Sequence, residues 1–232
     1  MAGFIAQNQN ALSWQQAAAQ VVSVLGNAGD TPQESIAKLL IQDIIRDLNS
    51  SREWSWLQQV TNATVTSSGL ITLPLRTKKV YAVVVDNKTL EYVNERDWLR
   101  EVDLQQAIGA TICYSGYNTS ITNKIEVRDH PSVDKPYILY YLSLISIDTA
   151  SDPIDVPESI MAYILAKAKS DYVATIDSSS PKLQFYTALA EQRYRRIVRD
   201  DEDSQPDQDL TFKPGYLWPN QVSGNSVLWG NE

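Results

Sequence analysis

Apolar residues recur at helical spacing near both ends of the chain and at every second position in its middle. The first helix is predicted to begin after Ser13, which forms a capping-box sequence with Gln16. A second helix is predicted to have Thr31 as its N-cap, Pro32 at its first position and Glu34 completing another capping box. Its apolar stripe comprises Ile36, Ala37, Leu40, Ile41, Ile44, Ile45 and Leu48. A stripe of this width must be buried by another helix or by another subunit.

Seven strands are predicted between residues 60 and 147, where β-branched and aromatic residues are concentrated. They are Val60–Val65, Leu70–Leu73, Val80–Val85, Thr89–Val93, Ala110–Tyr114, Lys124–Val127 and Tyr137–Ile145. Asp86, Asn87 and Lys88 are predicted to form a hairpin turn, and Asn94 to cap a short helix that carries Trp98. Strands separated by such short turns favour an antiparallel sandwich or small barrel.

Helical spacing returns after Pro157 and again after Pro181. We therefore predict an α+β fold, in which both ends of the chain form a helical bundle. An antiparallel β-sandwich or barrel domain is inserted between them, and an extended C-terminal tail follows. The predicted parts are an N-terminal helical part (1–57), the inserted β-domain (58–150), C-terminal helices that complete the bundle (151–203) and a docking tail (204–232).

The composition limits the classes of function. The chain has 232 residues, of which 43% are hydrophobic and 21% charged, as in folded proteins. Its net charge of −8 argues against nucleic-acid binding that depends on neutralising phosphates with basic residues. The N-terminus lacks a basic region followed by an apolar run, and no segment has the length of a membrane span. We expect a protein that is made in the cytoplasm and has no membrane contact.

The residues that usually carry catalysis or bind metals are scarce. The chain has one histidine, His130, and one cysteine, Cys113, so neither a Ser-His-Asp triad nor a Cys/His metal cage is expected. The acidic run 201–209 has calcium-loop character, but Pro206 stands where the loop requires glycine and Phe212 where it requires glutamate. We expect a solvated acidic linker, no enzyme activity, no metal and no cofactor.

The segment from Gln205 to Glu232 combines helix-breaking residues with large apolar ones. Three prolines, three glycines and three asparagines interrupt every regular period. The apolar residues are Phe212, Tyr216, Leu217, Trp218, Val227, Leu228 and Trp229. Such a segment cannot build its own core, and exposed aromatic residues are frequent anchors at protein interfaces. The segment therefore either folds back over its own domain or docks into a neighbouring protein.

A second candidate site lies at the end of the last predicted helix. Its members are Arg193, Arg195, Arg196 and Arg199, followed by Asp200, Asp201, Glu202 and Asp203. One interpretation is that the arginines stabilise the C-terminus of the helix. The other is that the basic face of one subunit pairs with the acidic run of the next in a ring.

Several local motifs occur in an order that resembles a known family. The predicted helix Gln33–Leu48 leads into the tryptophan-rich step Arg52–Trp56, and Leu70–Pro74 is a strand that ends in Leu-Pro. Tyr137–Tyr141 carries a double tyrosine, and Ile154–Pro157 precedes Tyr163 and Ala166–Ala168. Over roughly residues 33–200 the chain resembles the head-to-tail connector (adaptor) proteins of short-tailed bacteriophages, the group of tail tubular protein A.

This resemblance implies a structural virion protein located at the head–tail interface. Such adaptors form rings, generally of twelve copies, beneath the portal protein. They extend the DNA channel without binding DNA specifically, and they carry the tail nozzle together with tail fibres or a tailspike. Their C-terminal segments reach toward the portal. The alternatives are a nozzle or stopper component of the tail and a virion-associated cell-wall hydrolase.

Overall fold

The computed structural model describes residues 11–65, 70–86, 88–93, 113–115, 124–128, 135–149 and 153–204. These residues contain both helices and sheets, which confirms the predicted α+β class. They divide into two compact units. One unit lies within Gly3–Leu57 and Leu144–Pro206 and contains the helices; the other lies within Gln58–Ser143 and contains the strands.

The described part of the helical unit has four α-helices. They are α1 (Trp14–Val22), α2 (Thr31–Ser51), α3 (Glu158–Ile176) and α4 (Pro181–Ser204), with 3-10 turns at Ser23–Leu25 and Ser55–Leu57. The predicted capping box of α1 is confirmed, since Ser13 and Gln16 bond to each other's backbone N–H groups. Gly26 ends the turn after α1 with φ of 81°, a left-handed conformation that favours glycine.

The predicted start of α2 is wrong by one residue. The N-cap is Asp30, whose carboxylate accepts a hydrogen bond from the Gln33 N–H at 3.4 Å, so Thr31 already lies inside the helix. Glu34 does not complete a capping box, because its carboxylate accepts from the Gly29 N–H at 3.1 Å and from the Gln15 side chain on α1. Glu34 is buried and fastens α1 to α2.

Helix α3 is the centre of this unit, since it packs against α1, α2 and α4. Its buried residues extend around much of its circumference: Ile160, Met161, Ile164, Ala166, Ala168, Ser170, Tyr172 and Val173. The broad stripe of α2 is covered by α1 and α3 of the same chain. Within that stripe Ala37, Ile41, Ile44, Ile45 and Leu48 are buried, whereas Ile36 and Leu40 are half-buried.

Polar contacts join the two ends of the chain inside the helical unit. The Tyr172 hydroxyl donates to Gln33 Oε1 at 3.0 Å and accepts from Asn27 Nδ2 at 2.9 Å. The Asn49 side-chain amide makes two hydrogen bonds to the backbone of Ile145: Oδ1 accepts from the N–H at 2.9 Å, and Nδ2 donates to the carbonyl at 3.0 Å. The segment that follows the strands is therefore fastened directly to α2.

The described residues of the strand unit form eight strands in two sheets. They are β1 (Gln58–Thr64), β2 (Leu70–Thr72), β3 (Thr77–Val85), β4 (Lys88–Thr89), β5 (Glu91–Val93), β6 (Cys113–Ser115), β7 (Lys124–Arg128) and β8 (Pro136–Ser143). One sheet has the order β1-β8-β3-β4 and is antiparallel throughout. The other has the order β2-β7-β6-β5, and its β5–β6 pair is parallel, which departs from the expected purely antiparallel arrangement.

Both sheets contribute to one hydrophobic cluster. Its buried members are Val65, Ile71, Leu73, Val83, Val85, Leu90, Ile125, Tyr137 and Leu139. A hairpin follows Val85 as predicted, since Val85 pairs with Lys88 and Asp86 has φ of 49°. Lys88, however, lies in β4 and not in the turn, and Asn87 lies outside the described residues. The predicted helix after Asn94 and the residue His130 lie outside the described residues.

Candidate functional site

The eight charged residues predicted to contact a neighbouring subunit lie in the last turns of α4. This helix buries Ala190, Ile197 and Asp201 on one face, and the opposite face is exposed. The structure therefore separates the charged residues into two groups, because the helical period directs some of them inward. Asp201 and Arg193 face their own chain, whereas Arg195, Arg196, Arg199, Asp200, Glu202 and Asp203 are exposed.

Asp201 is the centre of a contact between the two ends of the helical unit. Its side chain is 1% exposed, and Oδ2 lies 3.2 Å from Arg52 Nη2. Oδ1 accepts from the backbone N–H and the hydroxyl of Ser55, both at 2.7 Å. The sequence groups Asp201 with residues that would face another copy, whereas its carboxylate is bonded within its own chain. We call the set Arg52, Ser55 and Asp201 the clasp.

The tryptophan-rich step after α2 supplies the other half of the clasp. Trp54 is buried, and its indole N–H donates to the Leu48 carbonyl at 2.8 Å. The Arg52 guanidinium lies 5.1 Å from the centre of a Trp54 ring, which holds it in place by a cation–π contact. This packing turns Arg52 toward Asp201, 149 positions later. Sequence reasoning missed Arg52 and Ser55 because no local pattern connects residues so far apart.

Arg193 is also engaged within the chain. Its guanidinium donates to the Ala162 carbonyl on α3 at 2.5 Å. Neighbouring Lys169 is partly buried, and burial, with a smaller contribution from the Arg193 charge, lowers the pKa of its ammonium group. Arg193 thus ties α4 to α3 and is not presented to a partner.

The remaining arginines form an exposed face on α4. Arg195 lies 3.7 Å from Glu191 and Arg196 lies 3.7 Å from Asp200, each pair one turn apart and largely solvent-exposed. Such long surface pairs contribute about 0.2–1 kcal/mol at most, so they can be exchanged for contacts with a partner. Within the described ranges neither Arg199 nor Asp203 has an ion-pair partner. Phe185, 62% exposed, lies on this same side of the helix.

Ser204, the last residue of α4, contacts two residues of the clasp. The Ser204 hydroxyl lies 2.7 Å from the Ser55 hydroxyl and donates to the Asp201 carbonyl at 2.7 Å. Residue 205, where the apolar tail begins, follows immediately. The predicted docking residues Phe212, Tyr216, Leu217, Trp218, Val227, Leu228 and Trp229 lie outside the described residues.

A pair of tyrosines joins α3 to α4. The ring centres of Tyr163 and Tyr194 are 5.3 Å apart. Burial raises the pKa of the Tyr163 hydroxyl to about 12, with smaller contributions from Tyr194, Asp171 and Asp47. Tyr163 therefore stays neutral in the folded protein under conditions in which an unfolded tyrosine ionises.

This pKa predicts a loss of stability at alkaline pH. The folded pKa of Tyr163 is raised above the unfolded value of 10.0. The contribution of neutral Tyr163 to the free energy of unfolding is therefore complete below pH 10 and is lost as the pH rises toward about 12. We expect the free energy of unfolding to fall less steeply over this range in Tyr163→Phe than in the unchanged chain. Urea unfolding at a series of pH values measures the slope, with Tyr186→Phe on α4 of the same unit as the matched control. Equal slopes in all three proteins would refute the assignment.

Comparison with models of protein families finds no match to this chain, and comparison with curated proteins finds none either. No helix among the described residues is long and apolar enough to cross a membrane. The described ranges also contain no group of three or more His, Cys, Asp or Glu side chains placed to hold a metal ion. The function is therefore argued from the site and from the motifs of this chain.

Proposed function

We propose that the chain is a structural virion protein, a head-to-tail adaptor that forms a ring beneath the portal of a short-tailed bacteriophage. The ring has about twelve copies if it follows the connector proteins that the chain resembles. It extends the channel through which DNA passes and carries the tail nozzle, with fibres or a tailspike attached around it. No catalytic step is assigned to it.

The observation that supports this proposal best is that helices from both sides of the strand segment pack together in one unit. Helices from before and after the strand segment pack around α3 as one unit, and the motif Arg52–Trp56 is what joins α2 to the end of α4. Two residues of this motif, Arg52 and Ser55, thus hold the end of α4 through Asp201. The finer fold that we propose is a helical bundle closed by both chain ends, with a β-sandwich or barrel inserted.

The distribution of charge supports a role in assembly. The net charge of −8 suits the wall of a channel, because DNA slides past an acidic surface without being held. The exposed face of α4 supplies exchangeable ion pairs for lateral contacts between copies. The aromatic tail that follows the clasp supplies anchors for the portal.

Assembly on the portal tests the proposal. We expect a monomer in free solution, since weak surface pairs do not hold a ring together without a template. Addition of the portal protein of the same virus should produce a closed ring, seen as a large rise in mass by light scattering and as a ring by electron microscopy. A nozzle protein in place of the portal is the control, and it should give no ring in the absence of the portal. A stable free dimer that ignores the portal would contradict the proposal.

A further inference from the structure

The turn between β2 and β3 places a large apolar side chain in solvent. Leu75 is 85% exposed, more than any other large apolar residue that the structure describes. The turn comprises Pro74–Thr77, and the backbone N–H and the hydroxyl of Thr77 both donate to the Pro74 carbonyl, at 3.3 and 2.8 Å. Leu75 is therefore held in solvent by a turn that two hydrogen bonds close.

The residue after Leu75 has a strained backbone. Arg76 has φ of 67°, in the left-handed region, at the third position of the turn, where glycine is the usual residue. The Cβ of an arginine in this conformation crowds the following carbonyl, so the conformation costs stability. Backbone strain of this kind is frequent at binding sites, where the surrounding fold maintains it. We call Leu75 and Arg76 the tip.

The charge around the tip is positive. Between residues 54 and 85 the chain carries Arg76, Lys78 and Lys79 and no acidic residue. Lys79 lies 5.3 Å from the centre of the Tyr81 ring, whereas Arg76 is exposed and forms no ion pair with a described residue. The tip therefore suits a surface that combines an apolar depression with a carboxylate.

The helical unit has an apolar groove where the chain before α1 meets the start of α3. Its volume is about 290 Å³, and its described apolar lining consists of Ala11, Leu12, Val156, Met161, Ala162 and Leu165. Val156 and Met161 are buried, and the other four are half-buried. The Leu12 carbonyl accepts from the Ile154 N–H at 3.0 Å, which holds the two chain segments side by side. The groove is thus already formed in the single chain.

One carboxylate stands at the end of this groove. Glu158, the first residue of α3, is exposed and is the only charged residue among the described lining residues. Met161 and Leu165 follow it by about 4.5 and 10 Å along the helix, at 1.5 Å per residue. Arg193 donates to the Ala162 carbonyl but is not part of the described lining. The groove therefore offers apolar walls with a negative charge at one end.

We propose that the tip of one copy inserts into this groove of the next copy in the ring, with Leu75 between the apolar walls and the Arg76 guanidinium at the Glu158 carboxylate. This inference rests on the proposed ring. A cavity of about 150 Å³ holds benzene, so a groove of about 290 Å³ takes a leucine side chain together with the methylene stem of an arginine. Tip and groove are different surfaces, so the contact repeats from copy to copy and closes into a ring when the rotation permits.

Charge exchange between Arg76 and Glu158 tests the contact with full-length chains on the portal protein. Arg76→Glu and Glu158→Arg should each raise the concentration for half-maximal ring formation about tenfold or more, because like charges then meet. A mixture of the two variants should restore the ring in alternating order, since altered tips meet altered grooves and unaltered tips meet unaltered grooves. Asp155→Arg changes an exposed acid outside the described lining and is the matched control, which should assemble normally. Ring formation is followed by light scattering and electron microscopy.

The apolar half of the contact has its own test. Leu75→Ser should weaken ring formation about tenfold or more and leave the melting temperature unchanged, since this side chain is 85% exposed in the single chain. Val60→Ser on β1, at a position that is 52% exposed, is the matched control and should assemble normally. Arg76→Gly should also weaken ring formation while keeping or raising the melting temperature, because glycine adopts a φ of 67° without strain. Calorimetry measures these temperatures.

Three outcomes would overturn the proposal in different ways. Rescue by the double variant Arg76→Glu/Glu158→Arg but not by the mixture would show that the two residues meet within one chain. If Arg76→Glu and Glu158→Arg both form rings as readily as the unchanged chain, the contact is wrong and the ring stands. If the unchanged chain forms no ring on the portal, the proposed ring is refuted and the contact with it.

Discussion

Removal of every residue after Thr211 should abolish binding to the portal protein and leave the melting temperature unchanged. The deletion takes away Tyr216, Trp218 and Trp229 but none of the described helices or strands. Trp218 and Trp229 lie eleven positions apart with Pro219 and Gly224 between them, so we expect them to occupy separate pockets. Binding is measured by light scattering with the portal protein, and stability by calorimetry on the same sample.

Single substitutions refine this test. Each buried indole is expected to contribute about 2 kcal/mol, so Trp218→Ala and Trp229→Ala should each weaken binding roughly thirtyfold. Asn225→Ala, a polar position between them, is the matched control and should have little effect. If the tail instead packs on its own domain, the truncated protein melts at a lower temperature and still binds the portal. That result would refute the docking role of the tail.

Asp201→Ala should destabilise the helical unit more than any substitution on the exposed face of α4. The change removes the partner of the Arg52 guanidinium and leaves the Ser55 N–H without its acceptor. Breaking a buried ion pair costs about 3–5 kcal/mol, and since Arg52 is 26% exposed, we expect about 2–3 kcal/mol. For a chain of this length that lowers the melting temperature by about 5–10 °C. Calorimetry measures this shift.

The neighbouring acid provides the control for this prediction. Asp200 is exposed and lies 3.7 Å from Arg196 on the same helix. Asp200→Ala should therefore change the stability by less than about 0.5 kcal/mol. Equal losses from Asp200→Ala and Asp201→Ala would show that the clasp does not hold the end of α4.

Local features of this fold are predictable from the sequence. The Ser13 capping box and the buried faces of α2 and α3 depend on residues three or four positions apart, which a single sequence displays. The first residue of α2 is harder to predict from the sequence. Both Asp30 and Thr31 are good N-caps, and the choice depends on Glu34, whose carboxylate is drawn to Gln15 and Gly29 instead of to a cap.

Long-range features are not predictable in this way. The helical period places Asp201 on the same face as Ile197, but it does not identify Arg52 and Ser55, which lie 149 and 146 positions earlier and meet Asp201 only in the tertiary fold. The same holds for the strands. Their existence follows from composition, but the parallel pairing of β5 with β6 depends on which edges meet in space. Of the candidate assembly residues, the exposed arginines follow from the sequence, whereas the inward direction of Arg193 does not.

The position of α3 determines the order in which a nascent chain can fold. Helices α1 and α2 are synthesised first. The hydrogen-bond partner of Gln33 and Asn27 is Tyr172, which lies 139 positions after Gln33 and 145 positions after Asn27. The part of the α2 apolar stripe that α3 covers is therefore exposed while the whole strand segment emerges from the ribosome, for about 10 s at usual rates of synthesis. The eight described strands are all synthesised by Ser143, before α3 and α4. We expect this face of α2 to be a site of chaperone binding during that interval, and a circularly permuted chain that synthesises α3 directly after α2 should shorten it.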